Sequence, residues 1–537
     1  MKFKNLIYIK SRWIHKVFGL ILIPFLIWMS ISGIILNHPE VFAGFNVPSW
    51  LVPSHYHIKN WNRSSIIGAV HVNDTDMFIY GKKGVWQVDD ARKVHYVGQG
   101  FPQADYYKKT NHMIFLTHGN DSLLIAATDG GLFMASLSRL NWQKIELPGK
   151  PEKLKKILKI DDTLLVFGES NVFRADLTKS ALQFSIATPL REETEKSVTM
   201  VQLFFDIHDG KAWGLAGKLL MDFIGLVIIF ASVTGFYVWF SPWRNRKRAN
   251  STFKTRTIAR LRSWNKWHIK IGALVVVFFI LLGSTGLFMR PPFLAAIAEK
   301  DVPATYYPGK LSQNPWERKI QNALYDPFRD RLIIATSEGL WAGPGDLRQE
   351  FKKINLNVPI FVMGPTYFEC LPNGHYRIAS FNGIFDYNPQ TDQAVDLITG
   401  QIPNNVSTVR PADIMVTGYF QLNDGSEWIT AHEQGICNME GKVVNIWRVP
   451  ESMIDINSLS LWNFMFELHN GRIFKSVVGS LYILIIPLGS ILFLLISFSG
   501  LYDWAFRKFR KKRTLLVARP NNLLSKNFNR QKKMVEV

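Results

Sequence analysis

The distribution of apolar positions along the chain predicts four membrane-spanning helices. Four segments carry no charged residue over about 20 residues, the length that crosses a bilayer; they are residues 17–37, 223–243, 271–289 and 476–502. The first segment is longer than a signal-peptide core, and no small-residue cleavage site follows it. We therefore expect it to remain in the protein as a membrane anchor.

The two long stretches between the spans alternate short apolar strands with polar turns. In six places an apolar strand, a turn with glycine or asparagine and a second strand follow one another, at residues 77–86, 123–133, 164–173, 332–341, 376–385 and 428–436. This pattern is typical of β-hairpins. A recurrence of about 40–50 residues is typical of propeller blades. The pattern leaves two architectures open, namely one propeller of three plus three blades or two separate β-domains.

The fold class that follows is an α+β membrane protein with four transmembrane helices and a β-rich, propeller-like region. The predicted organisation along the chain is, in order, an N-terminus (1–16), helix 1 (17–37), a first β-rich domain (38–207), helix 2 with its lead-in (208–243), a connector (244–270), helix 3 (271–289), a second β-rich domain (290–468), helix 4 with its lead-in (469–504) and a tail (505–537).

The basic residues are concentrated on one side of these spans. Residues 1–16, 244–270 and 505–537 together hold 26 basic residues and one acidic residue, whereas the whole chain has a net charge of +21. Because basic residues are retained on the cytoplasmic side, both termini and the connector are predicted to be cytoplasmic and both long stretches periplasmic, in a bacterial inner membrane. The basic runs then face anionic membrane lipid rather than nucleic acid.

Composition removes several other classes of protein. The 17 Trp, 16 Tyr and 38 Phe residues exclude a disordered chain. The only two cysteines, Cys370 and Cys437, are too few for a disulfide scaffold, a four-cysteine zinc site or a cysteine-ligated iron–sulfur cluster. One disulfide between them remains possible in an oxidising compartment.

The membrane segments contain an internal repeat with a period of about 255 residues. Spans 1 and 3 each begin with a histidine, followed by glycine at +4 and by a Ser/Thr-Gly pair that ends at +18. Spans 2 and 4 are each led by a histidine, with glycine at +2 and a basic residue at +3, and each contains a Ser/Thr-Gly pair. The matched positions are His15 and His268, Gly19 and Gly272, Ser32-Gly33 and Thr285-Gly286, His208 and His469, and Thr234-Gly235 and Ser499-Gly500. A tandem duplication with the two halves in the same orientation accounts for this pattern. The Ser/Thr-Gly pairs are interpreted as sites of close helix packing.

The four repeated histidines are the candidate chemistry. His15 and His268 are predicted at the cytoplasmic membrane surface, and His208 and His469 at the periplasmic surface. Ionisable residues at this depth are costly and usually functional. Two imidazoles that face each other across a pseudo-twofold axis can bind one haem iron from both sides, and the glycines at +4 leave room for a flat macrocycle. One or two haems b would then form an electron path across the membrane.

Other histidines are given less specific roles. An interfacial role, like that of tryptophan at membrane surfaces, is the competing interpretation of the four repeated histidines. His38 has no histidine partner in the second half and is a further, weaker candidate for a haem ligand or substrate contact. The histidines of the β-rich stretches, His112 among them, are expected at the surface.

These membrane motifs resemble those of PepSY-associated transmembrane proteins, in particular bacterial inner-membrane siderophore-iron reductases. The resemblance implies haem b held by His15, His268, His208 and His469. It also implies a cytoplasmic reductant or quinol as electron donor, and reduction of ferric complexes in the periplasm. No PepSY α/β module is recognisable in the long stretches, so the resemblance does not extend to a substrate surface.

The expected function is therefore haem-dependent transmembrane electron transfer to ferric iron or a ferric-siderophore complex. Release of iron would follow because oxygen-rich chelators hold Fe(II) less tightly than Fe(III). The alternative is a non-enzymatic envelope sensor, or a partner of an uptake system, with the propeller-like part as its binding surface. Phosphate loops, nucleophile triads and zinc-protease motifs are not found in the sequence.

Overall fold

The protein was analysed as a computed structural model that describes residues 2–73, 76–89, 92–192, 197–245, 251–298, 300–403, 410–451, 453 and 459–517. The chain divides into two compact units. The helical unit contains Met1–His38, Val198–Lys310 and Met465–Val537, and the sheet unit contains Pro39–Ser197 and Leu311–Phe464. Both long stretches between the spans thus contribute to a single sheet unit. The predicted connector lies partly, and the predicted tail mostly, outside the described residues.

Six helices make up most of the helical unit. They are α1 (Lys2–Asn37), α2 (Met200–His208), α3 (Gly214–Asn245), α4 (Ser251–Phe288), α5 (Leu461–His469) and α6 (Tyr482–Val517). The four long ones, α1, α3, α4 and α6, make up most of the four segments that are long and apolar enough to cross a membrane. They extend into the basic flanks because nothing at the polar ends of the apolar segments stops a helix. The chain is therefore an α+β membrane protein with four membrane helices.

The four long helices pack around a common apolar centre. α1 contacts α3, α3 contacts α4, α4 contacts α6, and α6 contacts α1. Leu22, Ile224, Val275 and Phe493, one from each helix, are buried in the core that they share. Apolar side chains also cover the outside of these helices, as expected where the surrounding solvent is lipid, and Leu274 is 80% exposed.

Each of the two helices that end in a histidine is joined to the following membrane helix by the same local structure. α2 ends at His208 and α5 ends at His469. Gly210 and Gly471 follow with φ of 81° and 78°, a left-handed conformation that glycine adopts without steric cost. The glycine at +2 is therefore the turn residue that separates the histidine helix from the membrane helix.

The sheet unit contains six antiparallel sheets in which the strands follow chain order. Sheet 1 contains Gly68–His71, Met77–Gly81, Gly84–Val88 and Val94–Tyr96; sheet 2, Thr110–His118, Asp121–Thr128, Gly131–Ser136 and Gln143–Ile145; sheet 3, Leu154–Ile160, Thr163–Gly168, Val172–Asp176 and Ser185–Ile186; sheet 4, Ile320–Asp326, Arg331–Thr336, Gly339–Gly343 and Lys352–Ile354; sheet 5, Tyr367–Cys370, Tyr376–Ser380, Gly383–Asn388 and Gln393–Asp396; and sheet 6, Val416–Gln421, Glu427–Ala431 and Gly435–Cys437. A short pair joins Asn46–Val47 to Leu459–Ser460, and Ser197–Thr199 and Asp301–Pro303 are further short strands.

All six predicted hairpins are present as the second and third strands of these sheets. Glycine is needed at the turns because the backbone turns left-handed there, with φ of 99° at Gly84 and 123° at Gly131. Three apolar residues in a row on many of these strands are buried, because each sheet is covered on both faces by its neighbours.

The first strands of the six sheets form a closed series of contacts. The first strand of sheet 1 contacts that of sheet 2, and so on through sheet 6, whose first strand contacts that of sheet 1 again. Six apolar clusters fill the spaces between neighbouring sheets. Within them Trp61, Trp316 and Trp341 are among the largest fully buried side chains. Cys370 and Cys437 lie in sheets 5 and 6 and are free thiols.

An ion pair connects first strands of different sheets within the sheet unit. His112 lies beside this ion pair and not at the surface, where it was expected. Glu369 accepts a hydrogen bond from Lys156 Nζ, and His112 Nε2 lies 3.3 Å from the same carboxylate. His112 was expected at the surface but is only 15% exposed, because its strand faces the other first strands. Burial is the largest single influence and opposes ionisation of Glu369, but the charges and hydrogen bonds of Lys156 and His112 together outweigh it and lower the pKa of Glu369 to about 2.

His112 is expected to make the sheet unit sensitive to acid. Burial and the Lys156 charge lower its pKa from 6.5 to about 4 in the folded protein. Between these values the unfolded chain binds a proton that the folded chain does not, so the free energy of unfolding falls as pH falls from 6.5 to 4. The variant His112→Gln should flatten this part of a plot of thermal midpoint against pH. His71→Gln, at an exposed histidine, is the control, and an unchanged slope in His112→Gln would contradict the assignment.

Candidate functional site

The structure brings the four repeated histidines together as two pairs within the helical unit. His15 and His268 form the first pair, with ring centroids 6.2 Å apart and ring planes at 74°. His208 and His469 form the second pair, with centroids 6.3 Å apart and planes at 75°. Each pair joins residues from matched positions in the two halves of the sequence.

The separation within each pair suits two imidazoles that share one metal ion. A metal–nitrogen bond is about 2.0–2.1 Å long and a ring nitrogen lies about 1.2 Å from its ring centroid, so two rings on opposite sides of one metal would have centroids about 6.4–6.6 Å apart. The observed 6.2 and 6.3 Å are close to this value. The donor set of two neutral imidazoles is also one that iron in haem accepts.

In the second pair, a hydroxyl group holds each ring by Nδ1. Ser32 Oγ lies 2.8 Å from His469 Nδ1, and Thr285 Oγ1 lies 2.8 Å from His208 Nδ1. Each hydroxyl donates its own proton to the carbonyl four residues earlier in its helix, over 2.7 Å for Ser32 and 2.8 Å for Thr285. The hydroxyl oxygen is then an acceptor, so Nδ1 carries the ring proton and Nε2 keeps a lone pair for a metal.

The first pair has the same arrangement. Thr234 Oγ1 donates to the Phe230 carbonyl and lies 2.9 Å from His268 Nδ1. His15 Nδ1 donates directly to the Ile496 carbonyl over 2.9 Å, beside Ser499 Oγ. All four imidazoles are thus fixed in the tautomer that leaves Nε2 available.

The glycine of each Ser/Thr-Gly pair lies against the same histidine. A Cβ atom added to the glycine would lie 3.5 Å from His469 Cε1 at Gly33, 3.4 Å from His268 Cε1 at Gly235, 3.5 Å from His208 Cε1 at Gly286 and 2.9 Å from His15 Cε1 at Gly500. The Ser/Thr-Gly pairs, interpreted from sequence as helix-packing sites, therefore also contact the candidate ligands. The feature of the sequence that could have indicated this contact is that the Ser/Thr-Gly pair occurs four times, at matched offsets in the two halves.

The two glycines four residues after the first-pair histidines border open space. A Cβ atom added to Gly19 or Gly272 would have no heavy atom within 4 Å, although neither glycine is fully exposed. The sequence predicted room for a flat macrocycle at these positions. The residues of the first pair therefore fit a haem both in donor type and in the space beside the rings.

His38 lies apart from both histidine pairs. Its Nε2 is 2.7 Å from Asp222 Oδ2, and Asn37 Nδ2 donates to Asp222 Oδ1 over 3.0 Å. A carboxylate within an apolar membrane helix needs such partners, because burying an unpaired charge is costly. Asn37 Nδ2 also approaches the carbonyl of Asp209, next to His208, at 3.3 Å. Within the described residues, no group of three or more His, Cys, Asp or Glu side chains is arranged to hold a metal ion.

Comparison with known proteins supports the membrane motifs. Residues 8–241 match the family model of the PepSY-associated TM region. This PepSY-associated match contains His15, Ser32-Gly33, His208 and Thr234-Gly235. It supports a PepSY-associated transmembrane protein, as the sequence motifs indicated. No curated protein matches the chain.

Three solved structures have a distant likeness to this chain. The extracellular domain of a putative one component system of B. thetaiotaomicron matches 71% of this chain and 40% of its own, at 10% identity and a TM-score of 0.32. That of a putative hybrid two component system of B. thetaiotaomicron matches 71% and 40%, at 10% identity and a TM-score of 0.34. YCF48 bound to D1 peptide matches 72% and 82%, at 9% identity and a TM-score of 0.32. The chain spans about two fifths of the length of the two B. thetaiotaomicron domains, and TM-scores this low carry no argument about fold or function.

Proposed function

We propose that this chain is a haem-dependent membrane oxidoreductase that reduces ferric iron or ferric-siderophore complexes. The observation that carries the proposal is the presence of two histidine pairs, each drawn from matched positions of the two sequence halves, with ring centroids 6.2 and 6.3 Å apart. If the four histidines were interfacial residues with unrelated roles, they would not be expected to form two pairs of the same geometry. They also have no reason to be held through the same nitrogen.

The proposed ligands are His15 and His268 for one haem b, and His208 and His469 for a second. Bound haem would supply one-electron redox centres near the two membrane surfaces. The chain itself supplies neutral imidazoles, fixes their tautomer through Ser/Thr hydroxyls or a carbonyl, and leaves space beside the rings. The apolar core of the four helices excludes water, which favours a low dielectric around the sites.

The proposed topology places both termini in the cytoplasm and the sheet unit in the periplasm of a bacterial inner membrane. It is supported by the basic runs at residues 1–16 and 244–270, which face the cytoplasm in this arrangement. The first histidine pair then lies towards the cytoplasm and the second towards the periplasm. The electron donor in this arrangement is a cytoplasmic reductant or a quinol, and membrane lipid surrounds the helices.

We further propose that the chain arose by tandem duplication and that the sheet unit is one six-bladed propeller of three plus three blades. Supporting observations are the closed series of contacts between first strands and the six apolar clusters between neighbouring sheets. In a propeller, closure of the ring lets both faces of every blade pack against neighbouring blades, and only short, protected sheet edges remain. Sheets 1–3 come from the first half and sheets 4–6 from the second.

Oxidation of the reduced protein by a ferric chelate tests the reductase function. Detergent-purified protein is reduced with dithionite, freed of excess reductant and mixed with ferric hydroxamate in the presence of an Fe(II)-specific dye. The proposal expects loss of the reduced haem spectrum together with the appearance of one Fe(II)–dye complex per haem. Reduced haem that persists in the presence of excess ferric hydroxamate, while oxygen oxidises it readily, would contradict a ferric reductase.

Ser32 provides a matched test of the hydroxyl groups. Ser32→Ala removes the acceptor for His469 Nδ1, and the loss of such a partner typically lowers metal affinity about 10–100-fold. Ser497→Ala is the control, because Ser497 Oγ also donates to the carbonyl four residues earlier, over 2.8 Å. We expect Ser32→Ala to lose haem from the second pair during dilution and Ser497→Ala to keep it. Equal retention in the two variants would remove the positioning role of Ser32.

A further inference from the structure

Arg290 is a basic residue of the helical unit whose side chain is not fully hydrogen-bonded within the described residues. It follows α4 by two residues and lies five residues after Thr285, which holds His208. Its Nε is buried and has no hydrogen-bond partner among the described residues. Burial and the nearby charge of Arg472 lower the pKa of Arg290. An N–H donor that is buried without an acceptor is costly, so the site is incomplete as described.

The neighbouring acid, Glu467, does not supply the missing acceptor for Arg290. Glu467 is bound by Arg472, whose Nε lies 2.9 Å from Glu467 Oε2 and whose Nη2 binds the other carboxylate oxygen. This bidentate pair is one of the strong ones that a guanidinium makes, and the single negative charge of Glu467, which also acts on Arg290, is shared by two guanidinium groups. The chain thus neutralises Arg472 and leaves the charge of Arg290 in excess.

The excess charge is specific to one half of the chain. The proposed duplication matches Arg290 with Asn37, because each lies 22 residues after a first-pair histidine. Asn37 is uncharged, and its amide is used by Asp222 and by the Asp209 carbonyl. The position in the first half that matches Arg290 therefore carries no positive charge.

A second unpaired donor lies near the same histidine pair. Trp28 Nε1 is buried with no hydrogen-bond partner among the described residues. Trp28 lies one helical turn before Ser32, which holds His469, and the Trp28 carbonyl accepts the Ser32 hydroxyl proton. Two buried donors without acceptors thus belong to the segments that also carry Ser32 and Thr285.

We propose that Arg290 binds an anionic oxygen group, a carboxylate of the macrocycle held by His208 and His469. This inference rests on the proposed haem function. A guanidinium binds a carboxylate through paired N–H donors, and such an ion pair is worth more where water is excluded. Phospholipid phosphate has the same chemistry and is the competing occupant.

The test uses full-length protein in the His15→Ala/His268→Ala background, so that only the second pair can bind a macrocycle. Haem-free protein is titrated with haemin and with haemin dimethyl ester, whose carboxylates are blocked, and the Soret band is followed. Arg290 is varied to Gln and to Lys. Arg448→Gln is the control, since Arg448 is 89% exposed in the sheet unit.

We expect unaltered Arg290 to favour haemin over its ester at least about tenfold, in line with a charge-assisted hydrogen bond. Arg290→Gln should abolish this preference without weakening ester binding, and Arg290→Lys should keep part of it. Equal affinity for haemin and ester with arginine in place would overturn the proposal. Equal weakening of both ligands by Arg290→Gln would do the same, because that result describes a structural residue.

Measurement of bound phospholipid distinguishes a lipid phosphate from a macrocycle carboxylate as the anion. The haem titrations distinguish failure of this inference from failure of the proposed function. If the protein binds neither haemin nor its ester, the proposed function fails independently of Arg290. Phospholipid phosphate retained after extensive detergent exchange is therefore measured in all variants. A loss of bound phosphate in Arg290→Gln, with haemin and ester bound equally, would assign the site to a lipid headgroup and overturn the macrocycle carboxylate as its ligand.

Discussion

Replacing His469 or His208 with alanine is expected to remove one of two haems from each chain. Each ring would supply one of the two nitrogen ligands of the proposed site, and alanine offers neither a nitrogen nor the bulk to close the gap. His15→Ala and His268→Ala should remove the other haem. Haem content is measured as the pyridine complex per mole of chain, and we expect it to fall from two to about one in each single variant.

Combining the substitutions distinguishes pairs from independent sites. His208→Ala/His469→Ala should bind as much haem as either single variant, because both residues serve one site. His208→Ala/His268→Ala should bind none. His38→Ala is the control, since His38 lies against Asp222, and it should retain both haems. A protein that keeps two haems after His208→Ala/His469→Ala would contradict the assignment of the second pair.

Filling the space beside the first pair is expected to exclude haem without harming the fold. A Cβ atom at Gly19 or Gly272 meets no heavy atom within 4 Å, so a leucine side chain would start in open space in the haem-free protein. Replacing glycine within a helix should in addition stabilise it by about 0.5–1 kcal/mol. The leucine side chain would occupy the proposed macrocycle space. We expect Gly19→Leu and Gly272→Leu each to bind one haem instead of two.

The control for these variants adds bulk on the lipid side of the same bundle. Val233 is 52% exposed in α3, so Val233→Leu should leave haem content at two. Thermal unfolding of the haem-free proteins shows whether the glycine variants remain folded. If Gly19→Leu and Gly272→Leu keep two haems, the open space belongs to lipid and the macrocycle lies elsewhere.

Much of the fold follows from local patterns in the sequence. Four uncharged apolar stretches correspond to four long helices, because in lipid only a helix satisfies every backbone group within one segment. The six hairpins were predictable because a glycine such as Gly84, with φ of 99°, marks the turn between two apolar strands. The helix ends were less predictable, since charged residues such as those between Lys2 and Lys16 continue a helix as readily as they end one.

The sequence predicted only those residues of the candidate site that the internal repeat relates to one another. Matched offsets relate His15 to His268 and His208 to His469. The partners that hold the rings come from other helices, as with Ser32 and His469. Offsets within one chain segment do not show which distant segment supplies a partner, because that depends on how the helices pack. The Ser/Thr-Gly pairs and Arg290 were missed as parts of the site for this reason.

Histidines outside the repeat show the same limit. His112 comes just before a run of four apolar residues and, like the other histidines of the β-rich stretches, was expected at the surface, but in the structure it lies beside Glu369 from a strand more than 250 residues away. His38 follows the end of the first apolar stretch and has Asp222 of α3 as its partner. In both cases a carboxylate elsewhere in the chain determines the environment of the imidazole.

The measurement that tests the account most directly is the absorption spectrum of the detergent-purified protein, first oxidised and then reduced, with haem quantified per chain. We expect two haems b per chain, with the sharp α and Soret bands of bis-histidine ligation after reduction. A colourless protein, even when the expressing cells are supplied with haem, would contradict it, and the two histidine pairs would then be structural contacts between membrane helices.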